Sequence, residues 1–164
     1  MRALRPCPEC GAAMKAKSGK AYRYKASGLS NVFLTGVEVR TCGACGEEEV
    51  VIPRIEALHR AIARAVIAKR DRLAPEEVRF LRKVLGLSGQ DFAARIGVDP
   101  ATVSRWENAK DPIGPIADRA LRLMVAVTPP KSDYSIDELA EIGEGSTPVH
   151  ASFAPSPKGW IIAA

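Results

Sequence analysis

Two short cysteine motifs constrain this 164-residue chain more than any other feature: Cys7-Pro8-Glu9-Cys10-Gly11 and Cys42-Gly43-Ala44-Cys45-Gly46. A two-residue spacer turns both sulfurs of a pair toward one point. Two such pairs supply four thiolates in the tetrahedral arrangement that Zn²⁺ accepts. Glycine after each second cysteine permits the bend that aims backbone N–H groups at sulfur. Four protein ligands leave no position for water, so Cys7, Cys10, Cys42 and Cys45 are expected to hold one structural Zn²⁺. The competing reading, a redox dithiol, needs a reactive pair at a helix start in a thioredoxin-like context, which is missing here. The 31 residues between the pairs exceed a finger's loop and fit a ribbon of short strands. Such a segment, poor in large apolar residues, is expected to need its metal to fold.

Composition narrows the class. Hydrophobic residues at 46% are enough for packed cores, and aromatics at 5% make those cores aliphatic. No run approaches the roughly 18 apolar residues of a membrane span. The first six residues lack an apolar signal core, which predicts a cytoplasmic protein whose cysteines hold metal rather than disulfides. The net charge of +5 is unevenly spread. Residues 1–53 carry eight basic against five acidic groups, and residues 54–83 carry nine against four. Residues 84–128 balance at five each, and residues 129–164 carry two against five. A basic front suits a polyanion such as nucleic acid, although a solvated basic surface would look the same.

The pattern predicts an α+β, multi-module chain in four pieces. Residues 1–53 form the zinc ribbon, with strands at Val32-Phe33-Leu34 and Val37–Arg40 around a Thr35-Gly36 turn, and another at Glu49–Ile52. Tyr22 and Tyr24 alternate onto one face. Residues 54–74 form a connecting amphipathic helix, with Ile55, Leu58, Ile62, Val66 and Leu73 on its apolar stripe and Arg54, Arg60, Arg64 and Lys69 between them. His59 beside that stripe reads as structural. Residues 75–128 form an all-α unit of several short helices. Ser88 with Asp91 makes a capping box, Gly97 ends that helix, and Asp99 caps the next, whose first residue is Pro100. Asp111-Pro112 breaks it, and Ile116, Ala120, Leu121 and Met124 line a last helix. Residues 129–164 read as a C-terminal extension of low order, with Ser135 and Glu138 capping a short helix over 136–142. A hairpin of Val149–Ala154 with Trp160–Ala163 is the second option, and a degradation signal ending in Ala-Ala the third.

The run Leu87–Asn108 resembles the lambda-repressor-like (XRE-type) helix-turn-helix family, most closely in Phe92-Ala93, Ile96-Gly97-Val98 and Thr102-Val103-Ser104-Arg105-Trp106-Glu107. In that family the second helix of the motif lies in the major groove with its early residues on base edges. The resemblance implies that Ala101, Thr102 and Arg105 face bases, with Arg105 forking onto guanine O6 and N7. Ser104, Asn108 and Lys110 become candidates for phosphate or groove-edge contact. Trp106 reads as core, and Glu107 is expected to pair with Arg82 of the first helix. Gly89 stands where many members carry glutamine, and Ala101 replaces a polar reader.

The order of CxxCG pairs followed by Ser104-Arg105-Trp106-Glu107 resembles the MqsA-type (YgiT-type) zinc-finger antitoxins of bacterial toxin–antitoxin pairs. The resemblance implies a ribbon that grips a protein toxin and a helical part that forms a homodimer on a palindromic double-stranded DNA operator. It implies a repressor, not an enzyme, soluble in a bacterial cytoplasm and nucleoid-associated when bound, with no membrane partner. The alternatives are a stand-alone helix-turn-helix regulator without a toxin and a redox enzyme built on the cysteines.

Overall fold

The computed structural model describes residues 5–17, 19, 21–128 and 145–163. Its N-terminal part is a three-stranded antiparallel sheet of β1 (Met14–Lys17), β4 (Glu38–Cys42) and β5 (Glu48–Val51), in the order β1-β4-β5. A second sheet runs β2-β3-β6-β7, from β2 (Tyr22–Arg23), β3 (Val32–Leu34), β6 (Ala151–Ser156) and β7 (Gly159–Ala163). Strands β3 and β6 pair in parallel, Val32 opposite Ala151 and Leu34 opposite Phe153. The Thr35-Gly36 turn, with Gly36 at φ +69°, therefore passes the chain from one sheet to the other.

Among the described residues five α-helices follow the ribbon strands: α1 (Ile55–Ala68), α2 (Pro75–Val84), α3 (Gly89–Ile96), α4 (Pro100–Glu107) and α5 (Pro115–Val127). Their ends obey the local chemistry of the sequence. Ser88 Oγ accepts from the Asp91 N–H at 3.0 Å while the Asp91 carboxylate reaches back to the Ser88 N–H at 3.2 Å. Gly97 closes α3 in the left-handed conformation at φ +71°. Asp99 Oδ1 accepts from the Ala101 N–H at 2.7 Å, and Pro100 takes the first position of α4, where its missing N–H costs nothing. Helix α1 ends at Ala68, so Leu73 is buried from the following loop rather than from the helix.

That loop is held by charge. The Arg122 side chain is fully buried and donates to the carbonyls of Ile67, Lys69 and Asp71, and Asp118 accepts from Arg122 Nε at 2.6 Å and from the Leu73 N–H at 2.7 Å. Glu77, also fully buried, accepts from the N–H groups of Ala74 and Val149 and pairs with Lys69 Nζ at 2.5 Å. Among the described residues no buried side-chain polar atom lacks a partner, so these ions cost little desolvation without return.

Two expectations are corrected. The low order assigned to the whole extension does not hold, because residues 151–163 form the β6–β7 hairpin. The hairpin has a place to go. Phe153 is fully buried, Trp160 Nε1 donates to Pro53 O at 2.9 Å, and the Arg54 guanidinium donates to the carbonyls of Ser156, Pro157 and Gly159. The expected helix over 136–142, with Ser135 and Glu138, lies outside the described residues. Nor does the division expected at residue 53 separate two cores. Among the described residues one apolar cluster runs from Tyr24, Val32 and Leu34 through α1 to Phe92, Trp106, Leu121 and Phe153, and Cys7, Met14 and Cys42 form a second, small one. The reason is α1: Leu58, Ile62, Ala63, Val66 and Ile67 are buried between the hairpin and helices α2 and α5. His59 joins the same core as a structural residue, with Nε2 2.9 Å from Tyr24 Oη and its ring edge-on to Phe80.

A hairpin seated in the shared core must carry stability. Phe153→Ala should lower the unfolding free energy by about 3–5 kcal/mol, read as one shifted urea transition by both helical and aromatic probes. An unshifted midpoint would show the extension to be independent.

Candidate metal centre and nucleic-acid interface

The two cysteine motifs fold as copies of one another. Cys7 N donates to Ala12 O at 2.8 Å and Gly11 N returns to Cys7 O at 2.9 Å. In the second motif Cys42 N donates to Glu47 O at 2.8 Å and Gly46 N returns to Cys42 O at 3.0 Å. Gly11 at φ +73° and Gly46 at φ +78° supply the left-handed turn that each loop needs. Pairing of Met14 with Cys42 across β1 and β4 then brings the two loops together.

All four sulfurs lie within 4.8 Å of one another, with Cys7 and Cys45 at 3.6 Å and Cys10 and Cys42 at 3.5 Å. A disulfide needs about 2.05 Å. Four thiolates at about 2.3 Å from one tetrahedral ion stand roughly 3.8 Å apart, and the observed spacing is close to that. The residues present therefore fit a metal ion. The electrostatics agree. N–H groups of Cys45 and Ala44 on the Cys42 sulfur pull that thiol down to about 6, against the effect of burial. The Glu47 N–H pulls Cys45 down, but the crowding sulfurs of Cys10, Cys42 and Cys7, with burial, push it up to about 12. Sulfurs this close cannot all ionise without a cation among them.

Helix α4 presents a divided surface. Val103 and Trp106 point inward, while Ala101, Ser104 and Arg105 are exposed and Thr102 is half-buried. Asn108 and Lys110, just past the helix, are exposed too. Thus Ala101, Thr102, Ser104, Arg105, Asn108 and Lys110 lie together on one outer face of α4 and its C-terminal turn. Arg105 Nε donates to Asp111 Oδ2 at 2.8 Å and its Nη2 to Thr102 Oγ1 at 2.8 Å. Asn108 Nδ2 donates to Ser104 O at 2.8 Å, and its Oδ1 accepts from Arg79 at 3.0 Å.

Arg82 and Glu107 meet in a fork, Nε to Oε1 at 2.5 Å and Nη2 to Oε2 at 2.9 Å, and Arg82 Nη1 also donates to Leu87 O at 2.7 Å. The Glu107 bond raises the Arg82 pKa further, and one guanidinium thereby fixes α2, the α2–α3 turn and the end of α4 together. Arg79 adds a donor to Glu107 O at 2.7 Å. Sequence reasoning missed Arg79 and Asp111. The first lies one position off the apolar stripe of α2, and the second was read only as a helix breaker before Pro112.

A helix-turn-helix family profile matches residues 78–116. The match begins within α2 and ends at the start of α5, so it covers the whole of α3, the turn and α4. No curated protein and no solved structure matches the chain. Residues 78–116 thus form a helix-turn-helix of the DNA-binding kind found in transcription regulators, in line with the XRE-type likeness. Among the described residues no helix is long and apolar enough to cross a membrane.

Metal removal separates the two ends of the molecule. A strong chelator should release one metal ion per chain and abolish order in the two cysteine loops, while far-UV circular dichroism keeps most of its helical signal. Helices that melt together with metal release would contradict the small, separate cluster at the cysteines.

Proposed function

We propose that this chain is a zinc-holding transcriptional repressor that binds a palindromic operator as a homodimer. The observation that carries the reading is the exposed α4 face, which sits on a helix-turn-helix whose inward residues, Val103 and Trp106, are buried in the core. Pairing of Arg82 with Glu107 keeps that face rigid, which is what sequence reading in a groove requires. Cys7, Cys10, Cys42 and Cys45 hold zinc as a scaffold, since four sulfurs leave the ion no open position. Arg105 reads a base, Ala101 and Thr102 lie against neighbouring base edges, and Ser104, Asn108 and Lys110 serve the backbone or groove edge.

Dimerisation is supported by α5. Ile116, Leu123 and Val127 recur along one side of that helix and are 85%, 41% and 57% exposed. An apolar stripe of this kind on a soluble domain is suited to a second copy of itself.

A second reading adds a toxin. The cysteine pairs precede the helix-turn-helix, and that order supports an MqsA-type antitoxin whose ribbon grips a protein partner. Purification of the full chain from its host under zinc-preserving conditions separates the readings. A stoichiometric small protein that keeps cells from growing when expressed alone supports the antitoxin. A chain that elutes with DNA alone supports the stand-alone regulator.

Selection from random duplexes tests the shared core of both readings. The expected product is a two-fold repeat with half-sites about 34 Å apart. Arg105→Ala should weaken binding to it by roughly 1–3 kcal/mol and relax the preference at one base pair of each half-site. An unchanged footprint and affinity would remove Arg105 from the interface.

A further inference from the structure

We infer that Asp111 is a positioning residue for base recognition: with Thr102 it holds the Arg105 guanidinium so that the outer end is offered to a guanine. The inference rests on the DNA-reading role proposed for α4 and names both the base and the device that presents the reader.

The device begins in the backbone. Helix α4 ends at Glu107, and Ala109 then takes a left-handed conformation at φ +57°. The N–H groups of Lys110 and Asp111 both turn back to Arg105 O, at 2.9 and 3.4 Å. This closing turn returns the chain to the outer face of the helix it has just left, and Pro112 disfavours any continuation of helix at the residue before it. Asp111 therefore comes to lie beside Arg105, six positions earlier.

Two bonds then fix the guanidinium. Its Nε is held by Asp111 at 2.8 Å and its Nη2 by Thr102 at 2.8 Å, so adjacent nitrogens of the planar group are anchored on one side. No contact among the described residues engages Nη1. Nη1 and the second hydrogen of Nη2 form the end-on fork that matches guanine O6 and N7. A long arginine pinned in advance loses less rotamer freedom on binding, which favours the base that fits that orientation.

Neither stability nor affinity accounts for the carboxylate. The Arg105 and Asp111 side chains are 47% and 54% exposed, and surface pairs of this kind contribute little to folding. An acid beside a DNA-binding face repels phosphate and so lowers affinity for any sequence. The other acids of this region have tasks of their own: Asp91 closes the cap at Ser88, Asp99 caps α4, and Glu107 holds Arg82. Asp111 alone among them faces the reading arginine.

The test uses the zinc-loaded full chain and the duplex that the unaltered protein selects from a random pool. Affinities are measured for that duplex, for every single-base-pair variant of it and for an unrelated duplex. Asp111→Ala should cut the penalty for replacing one G·C pair by about tenfold while affinity for the unrelated duplex holds or rises. Asp111→Asn, whose amide oxygen still accepts from Nε, should keep most of the penalty. Arg105→Ala should lose the same penalty, and the double variant should lose no more. Melting temperatures of the Asp111 variants should match the parent. A uniform rise in affinity in Asp111→Ala with every base penalty intact would overturn the inference and leave the DNA reading standing, because Asp111 would then be only an electrostatic brake. A parent protein that selects no sequence would overturn both.

Discussion

Helix α1 is the element on which the rest of the molecule depends. Five of its side chains, Leu58, Ile62, Ala63, Val66 and Ile67, have at most 1% exposure. On one side they meet the β6–β7 hairpin and on the other α2 and α5. A helix with one whole face buried in this way is not a flexible tether, although Ile55, Arg60 and Arg64 stay exposed on its other face. It makes strands β2 and β3, the helix-turn-helix and the C-terminal hairpin share one core, whose loss of any wall exposes the others. Only the cysteine loops stand apart, and sulfur chemistry replaces apolar area there.

Rigidity then reaches the outer face of α4 by a short route. Leu81 and Phe80 of α2 pack in the shared core, and Arg82, next along that helix, forks onto Glu107 at the end of α4. Arg79, a turn earlier, holds the Glu107 and Asn108 ends of the same helix. Buried Arg122 and Asp118 tie α5 to the loop after α1. The outer residues of α4 can therefore present fixed geometry although each is wet. Fixed geometry is what distinguishes one base pair from another, whereas net positive charge only attracts.

Much of this was legible in residue order, and the misses have physical causes. The caps of α3 and α4 follow from Ser88, Asp91, Asp99 and Pro100 because those bonds are local. The cysteine loops follow from spacing and glycine. The Arg82–Glu107 pair is 25 residues apart and was expected only through a family likeness, as no local pattern encodes it. The β3–β6 pairing joins residues as far apart as Leu34 and Phe153, Val149 donates to Glu77, and Arg54 grips carbonyls near residue 157. Contacts at such distance depend on what the rest of the chain leaves exposed. A tail rich in glycine, serine and proline gives no sign of the surface that awaits Phe153 and Trp160. The Asp111–Arg105 contact is hidden for a different reason: it arises from a left-handed alanine at 109, a conformation that alanine rarely announces.

Lys17, Arg23 and Lys25 line a basic cleft between the two sheets, well suited to a phosphate backbone, so charge alone would send DNA there. Amide NMR shifts of the labelled, metal-loaded chain titrated with the duplex it selects from a random pool decide between the two surfaces. The account predicts changes concentrated at Ala101, Thr102, Ser104, Arg105 and Lys110, with the cleft unmoved. Shifts at Lys17, Arg23 and Lys25 with α4 silent would contradict it.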